Sequence, residues 1–219
     1  MMKKTTLFSL LVPAALLVGC HERSAVNGLT VEMLDCPLGV AAEHPRLSWR
    51  IESALPATVQ TGYRILVSTD PGDLETGENL IWDSGDVPSD RSVLVPYEGP
   101  ELESRRDYYW KVRVATNHGD TLWSEPSRWS MALLDDSDWQ ARWIGYDSCL
   151  NRTDTLGVFS RLAARYLRKE FDAGRDIAQA RLYISGLGLY ECYLNGCRVG
   201  EDVLAPTATD YTKTVCYNV

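Results

Sequence analysis

The chain has 219 residues and is acidic, 22 Lys and Arg against 30 Asp and Glu for a net charge of −8, with no basic block; nucleic acid is therefore not an expected partner. Its three histidines, His21, His44 and His118, lie far apart in sequence and in no metal-ligand spacing, so the sequence predicts no metal site. About 200 residues beyond the leader are enough for one large or two small domains.

The chain opens with Lys3 and Lys4, followed by an apolar stretch from Leu7 to Gly19. Leu17-Val18-Gly19-Cys20 resembles the lipobox of a bacterial lipoprotein, which is cleaved before its cysteine. A membrane span is the competing reading, but about thirteen residues of helix reach only about 20 Å, short of the ~30 Å hydrocarbon core. Pro13 also interrupts the run. The expectation is a signal peptide over 1–19, lipid attachment at Cys20 and a tether over 20–28. This places the protein in a bacterial cell envelope, with the membrane as a partner through the lipid. Without Cys20, five cysteines remain, Cys36, Cys149, Cys192, Cys197 and Cys216; the odd number leaves at least one thiol unpaired.

Residues 29–134 are short alternating runs separated by turn residues, which predicts one β-sandwich. In the clearest run Tyr108, Trp110, Val112 and Val114 share one face, and Tyr109, Lys111 and Arg113 the other, so one face is core and one is wet. Tyr63, Ile65 and Val67 repeat the pattern, and Asn117-His118-Gly119-Asp120 reads as a hairpin turn. Trp82-Asp83-Ser84-Gly85 reads as a strand running into a turn, with Asp and Ser bonding local backbone and Gly left-handed. Trp49, Trp82, Trp110 and Trp143 are the expected large anchors of the core. Leu102, six residues before Tyr108, resembles the tyrosine corner of fibronectin type III domains, in which the phenol bonds backbone upstream.

Residues 135–165 read as a linker. From Tyr166 the alternation returns, over 166–171 and again over Arg181–Ser185, so a second β-domain is expected over 166–219. Asn195-Gly196 is a strong hairpin signal, because a type I′ turn needs positive φ at both central residues. With that turn Leu194 pairs with Cys197 and Tyr193 with Arg198, leaving Cys192 and Cys197 diagonal. They are then too far apart for a disulfide and are expected to act as small buried apolar residues. Thr214–Val219 reads as a strand whose partners lie outside the sequence, so the second domain is expected to be cut short. The predicted class is all-β: a fibronectin-III/immunoglobulin-like sandwich followed by an incomplete second antiparallel β-sandwich domain.

Pro37-Leu38-Gly39-Val40, Pro45-Arg46-Leu47-Ser48-Trp49, Gln60-x-x-Tyr63-Arg64-Ile65, Trp82-Asp83-Ser84-Gly85 and Trp139-x-Ala141-x-Trp143-Ile144-Gly145 resemble, in order and spacing, the leading domain of bacterial α-L-rhamnosidases. Gly186-x-Gly188-x-Tyr190, Asn195-Gly196-x-x-Val199-Gly200, Leu204-x-Pro206 and Thr209-Asp210-Tyr211 resemble the start of the β-domain that follows in that family. The resemblance implies the N-terminal part of an inverting glycosidase acting on rhamnose-containing glycans, with the catalytic carboxyls in a helical barrel that this chain lacks. No catalytic residue and no cofactor is expected here; Asp83, Glu191 and Asp210 each have a structural reading. Tyr190, Tyr193, Asn195, Asp210 and Tyr211 are candidate carbohydrate contacts beside the hairpin, weighed against tyrosines that simply cover a sheet. The alternative function is a self-sufficient surface carbohydrate-binding or adhesion lipoprotein.

Overall fold

The computed structural model describes residues 24–145, 164–174 and 176–219. The leader, Cys20 and Cys149 lie outside the described residues, as do residues 146–163 of the linker expected over 135–165. The strands are β1 (Ala25–Val31), β2 (Arg46–Glu52), β3 (Gln60–Ser68), β4 (Trp82–Asp83), β5 (Val95–Pro96), β6 (Asp107–Thr116), β7 (Thr121–Trp123), β8 (Ser127–Ser130), β9 (Ile184–Ser185), β10 (Cys192–Leu194), β11 (Cys197–Val199) and β12 (Tyr217–Asn218). One short α-helix, α1, spans Pro71–Thr76.

Two antiparallel sheets face each other across the core. One has the order β1-β2-β5; the other runs β4-β3-β6-β7, with β8 also paired to β6. Between them lie Trp49, Trp110, Trp129, Tyr97, Tyr108, Leu47 and Ile65, all fully buried. The alternation of β6 is as expected on its inner face, where Tyr108, Trp110, Val112 and Val114 are buried. The opposite face is drier than expected. The Lys111 ammonium is covered by α1 and β7, reaching Glu75 Oε1 at 3.1 Å and lying 4.8 Å from the Trp123 ring centroid. α1 itself was not expected, although its boundary chemistry is local: Asp70 caps it by accepting from Gly72 N–H at 2.8 Å, Pro71 starts it, and left-handed Gly77 ends it.

Residues of the separate motifs meet in the sandwich. Trp49 Nε1–H donates to Gln60 Oε1 at 2.9 Å, and its ring meets Tyr63 edge-on at 5.2 Å. Gln60 in turn donates to the carbonyls of Ser89 and Arg91, both at 2.9 Å, which tethers the long loop before β5. Arg64 Nε–H donates to Asp83 Oδ1 at 2.8 Å, and Asp83 also accepts from Gly85 N–H at 2.9 Å, so this turn is built as expected. The tyrosine corner is present, with Glu103 N–H donating to the Tyr108 hydroxyl at 2.8 Å.

Several expectations are corrected. β1 begins at Ala25, inside the stretch assigned to the tether, because Val26 pairs into β2 and is buried. Trp143 is 62 % exposed and anchors nothing, and Trp82 is half-buried; Trp129, which was not singled out, is a buried anchor stacked on Tyr108 at 5.4 Å. Cys36 and Cys197 are exposed and Cys192 and Cys216 half-buried, all four as free thiols, so none is a buried apolar residue. Residues 166–171 form no strand, since alternation without a neighbouring ladder leaves the backbone unpaired; Tyr166 and Phe171 are exposed. The terminal strand, expected to lack partners, has one. β12 pairs antiparallel with β9, Tyr217 opposite Ser185 and Asn218 opposite Ile184. The β10–β11 hairpin has the expected register, Leu194 opposite Cys197 and Tyr193 opposite Arg198, with Asn195 and Gly196 at φ 50° and 83°.

Candidate functional site

Two concavities among the described residues are of ligand size. The larger, about 680 Å³, runs along the free edge of β1 and is lined by Val26, Leu29, Met33, Trp49, Val93 and Pro126. Its exposed surface is mainly apolar, with Asn27, Asp35, Arg50 and Glu125 among its polar lining residues. The smaller, about 310 Å³, lies in the second unit and brings together Arg181, Ile184, Tyr190, Cys192, Arg198 and Asp202.

The polar side of the smaller cavity is a connected chain of hydrogen bonds. Tyr190 is held by its backbone N–H donating to the Ala205 carbonyl at 2.9 Å, and its hydroxyl donates to Asn218 Oδ1 at 2.9 Å. Asn218 Nδ2 donates to Asp202 Oδ2 at 3.1 Å, and the Arg198 guanidinium donates to the Asp202 carbonyl. The β9–β12 ladder sets the position of Asn218, while the β10–β11 hairpin carries Cys192 and Arg198. Burial, and then the neighbouring Cys192 and Asp202, push the Tyr190 phenol above its ordinary value, so it stays a neutral donor at physiological pH.

Of the five residues proposed as carbohydrate contacts, only Tyr190 lines this cavity. Tyr193 is 57 % exposed on the hairpin and donates to Glu191 Oε2 at 2.9 Å, and Asn195 forms the turn. Asp210 organises its own loop, accepting from Thr212 N–H at 3.1 Å and Thr212 Oγ1–H at 2.6 Å and pairing with Lys213 at 3.2 Å; Tyr211 beside it is exposed. No hydrogen bond joins the hairpin residues Tyr193 and Asn195 to Asp210 or Tyr211. Arg181, Arg198, Asp202 and Asn218 were not singled out from sequence, because they come together only through pairings between distant segments.

The carboxylates have structural partners. Arg64, through its hydrogen bonds, holds Asp83 below the usual carboxylate range, and Thr212 does the same for Asp210. Glu32 is lowered by Arg46, and Asp135 and Asp138 by their hydrogen bonds to Ser137 and Ser104. These five carboxyls are all held low, the opposite of the upward shift that a general acid for glycoside cleavage uses. No group of His, Cys, Asp and Glu among the described residues could hold a metal ion, and no described helix is long and apolar enough to cross a membrane.

Residues 26–135, half of the chain, match the family described as Rha78A-like, N-terminal immunoglobulin domain. The chain belongs to this family. Residues 175–219, which hold the smaller cavity, match the α-L-rhamnosidase N-terminal domain. An α-L-rhamnosidase of Formosa agariphila is 33 % identical over 234 residues, covering 96 % of this chain and 24 % of the relative. One from Streptomyces avermitilis is 37 % identical over 190 residues, covering 80 % of this chain and 18 % of the relative. Among solved structures, the α-L-rhamnosidase from Dictyoglumus thermophilum is similar with a TM-score of 0.78 at 33 % identity, over 89 % of this chain and 23 % of that one. The Streptomyces avermitilis enzyme complexed with L-rhamnose matches with a TM-score of 0.53 at 44 % identity, over 56 % and 12 %. The Rha78A-like chain thus corresponds to N-terminal portions of α-L-rhamnosidases and spans a quarter or less of the length of these curated relatives. A self-sufficient adhesion lipoprotein is not favoured by these matches.

Proposed function

We propose that this chain is the non-catalytic N-terminal part of an α-L-rhamnosidase that hydrolyses terminal α-L-rhamnose from glycans. The observation that carries the reading is the pair of family matches in consecutive order, supported by relatives aligned across 80–96 % of the chain. Asp83 and Asp210, each held low by local partners, and Glu191, which accepts from the Tyr193 hydroxyl, have structural roles, which supports a scaffold reading. Purified protein from Cys20 to Val219 is expected to release no p-nitrophenol from p-nitrophenyl α-L-rhamnoside. Turnover that Asp83→Asn, Glu191→Gln or Asp210→Asn alone abolishes would overturn this.

Carbohydrate contact by the second unit is part of the same proposal. Tyr190, its one proton engaged by Asn218, would supply an acceptor lone pair and an aromatic edge from the cavity wall, and Tyr193, Asn195, Asp210 and Tyr211 an exposed aromatic and polar fringe. Titration with L-rhamnose and rhamnosides, followed by tryptophan fluorescence, tests it; a flat signal matched by a null calorimetric titration would count against it. We also propose lipid attachment at Cys20, which would hold the protein on a membrane of the bacterial cell envelope, on the strength of the Leu17–Cys20 motif and the charged, apolar run before it. In a bacterial host, Cys20→Ala is expected to move the protein from the membrane to the soluble fraction. Unchanged partition would refute the anchor.

A further inference from the structure

The second unit has many apolar residues and almost no interior. Among its described residues only Pro206 is buried, while Leu187, Leu189, Val199, Val203 and Leu204 are all exposed. Its ladders are two or three residues long, and isolated two-stranded pairs of that size are not stable in water. In this chain, contacts other than a core hold the described part of residues 164–219 in one conformation.

The contacts that could do so lie on the sandwich. The Arg181 guanidinium pairs with Asp107 and also donates to the Arg105 carbonyl at 3.1 Å; the two charged side chains keep only 14 % and 24 % of their exposure. Tyr217, on β12, accepts from Leu133 N–H at 2.9 Å, and its ring lies 5.6 Å from Trp139 and 6.4 Å from Tyr183. Gly39 completes the seat. Its φ is 72°, and a Cβ there would stand 2.7 Å from Val219 Cγ2, so a side chain at this position would be strained and would displace Val219. Gly39 is itself clamped to β8, its N–H donating to Ser130 Oγ at 3.1 Å and the next N–H, that of Val40, to the Ser130 carbonyl at 2.8 Å. These contacts join Gly39, Asp107 and Leu133 on the sandwich to Arg181, Tyr217 and Val219, the first and last parts of the β9–β12 ladder region.

The geometry points to the sandwich surface around Gly39, Asp107 and Leu133 as a docking platform on which residues 181–219 become ordered, with the Arg181–Asp107 pair and the Tyr217 seat as its two fastenings. In this chain residues 181–219 then take their local stability from docking, and the cavity, bounded by Leu38 on one side and Asn218 on the other, exists only in the docked form. This is independent of whether the cavity takes a sugar.

The test is native-state hydrogen exchange on the whole chain, comparing amides of 181–218 with those of 108–114 in the wild type and in Asp107→Asn, Arg181→Met, the double variant and Tyr217→Phe. Removing one partner of a largely buried ion pair is costly, so each single variant is expected to raise exchange of 181–218 about tenfold or more, leaving 108–114 unchanged. The double variant is expected to add nothing to either single one, because the fastening is shared. Tyr217→Phe changes a residue outside the sandwich core, freeing only the Leu133 N–H at its surface, and keeps the test valid if an Asp107 variant misfolds. Protection of 181–218 that survives all the variants would show a self-supporting unit and overturn the proposal. Equal loss of protection in 108–114 would also overturn it, since the two parts would then be one cooperative core.

Discussion

Tyr108 shows how much one side chain can contribute to this fold. Its ring fills the core against Trp129 while its hydroxyl satisfies the Glu103 N–H at the entry to β6. Tyr108→Phe keeps the ring and orphans that donor, so a loss of about 1–2 kcal/mol is expected in urea unfolding, with the m-value unchanged. Asp83 makes a pH-dependent contribution. Arg64 lowers its folded pKa below the ordinary 3.8, so its stabilisation is fully present above that pH and is lost as pH falls through the folded value. Both partners are about a third exposed, which keeps the effect to about 1 kcal/mol or less. In acid titrations between about pH 4 and 2, Asp83→Asn is expected to flatten the decline in melting temperature relative to wild type. A parallel decline in the two proteins would show that the pair contributes nothing. The motif residues Trp49, Gln60 and Tyr63 were legible as a resemblance, and their contacts explain it: each satisfies or packs against another.

At the level of elements, local chemistry was read well where it was sufficient and missed where it was overlooked. The β10–β11 hairpin forms in the expected register because Asn195-Gly196 fixes a turn that only positive φ allows. Gly196→Ala forces a side chain into that conformation. Its expected effect is loss of hairpin protection in hydrogen exchange, with β6 unaffected. α1 was missed, although Asp70, Pro71 and Gly77 are ordinary start and stop signals, because six residues are too few to show helical periodicity. Asp70→Ala is expected to cost about 1 kcal/mol in chemical unfolding. It should also loosen Lys111, whose ammonium bonds Glu75 on that helix. The strand expected over 166–171 shows the opposite error: alternation is necessary for a half-buried strand, but a partner ladder decides whether one forms.

On the scale of the whole molecule, a well-packed sandwich carries a second unit with an uncovered apolar surface. Exposed Leu187, Leu189, Tyr193, Leu194, Val203 and Leu204 make self-association the expected behaviour of the purified chain, rising with concentration in sedimentation velocity; a single monomeric species up to high concentration would contradict it. The sequence by itself determined the all-β class, the inner face of β6, the Asp83–Gly85 turn and the hairpin register, because period-two alternation and turn chemistry act over a few neighbouring residues. Only the tertiary structure decided that β12 has a partner in β9, that Arg181 meets Asp107, and that Gly39 makes room for Val219. Those contacts join segments far apart in the chain, and their stabilisation comes from complementary surfaces and paired charges that no local pattern records.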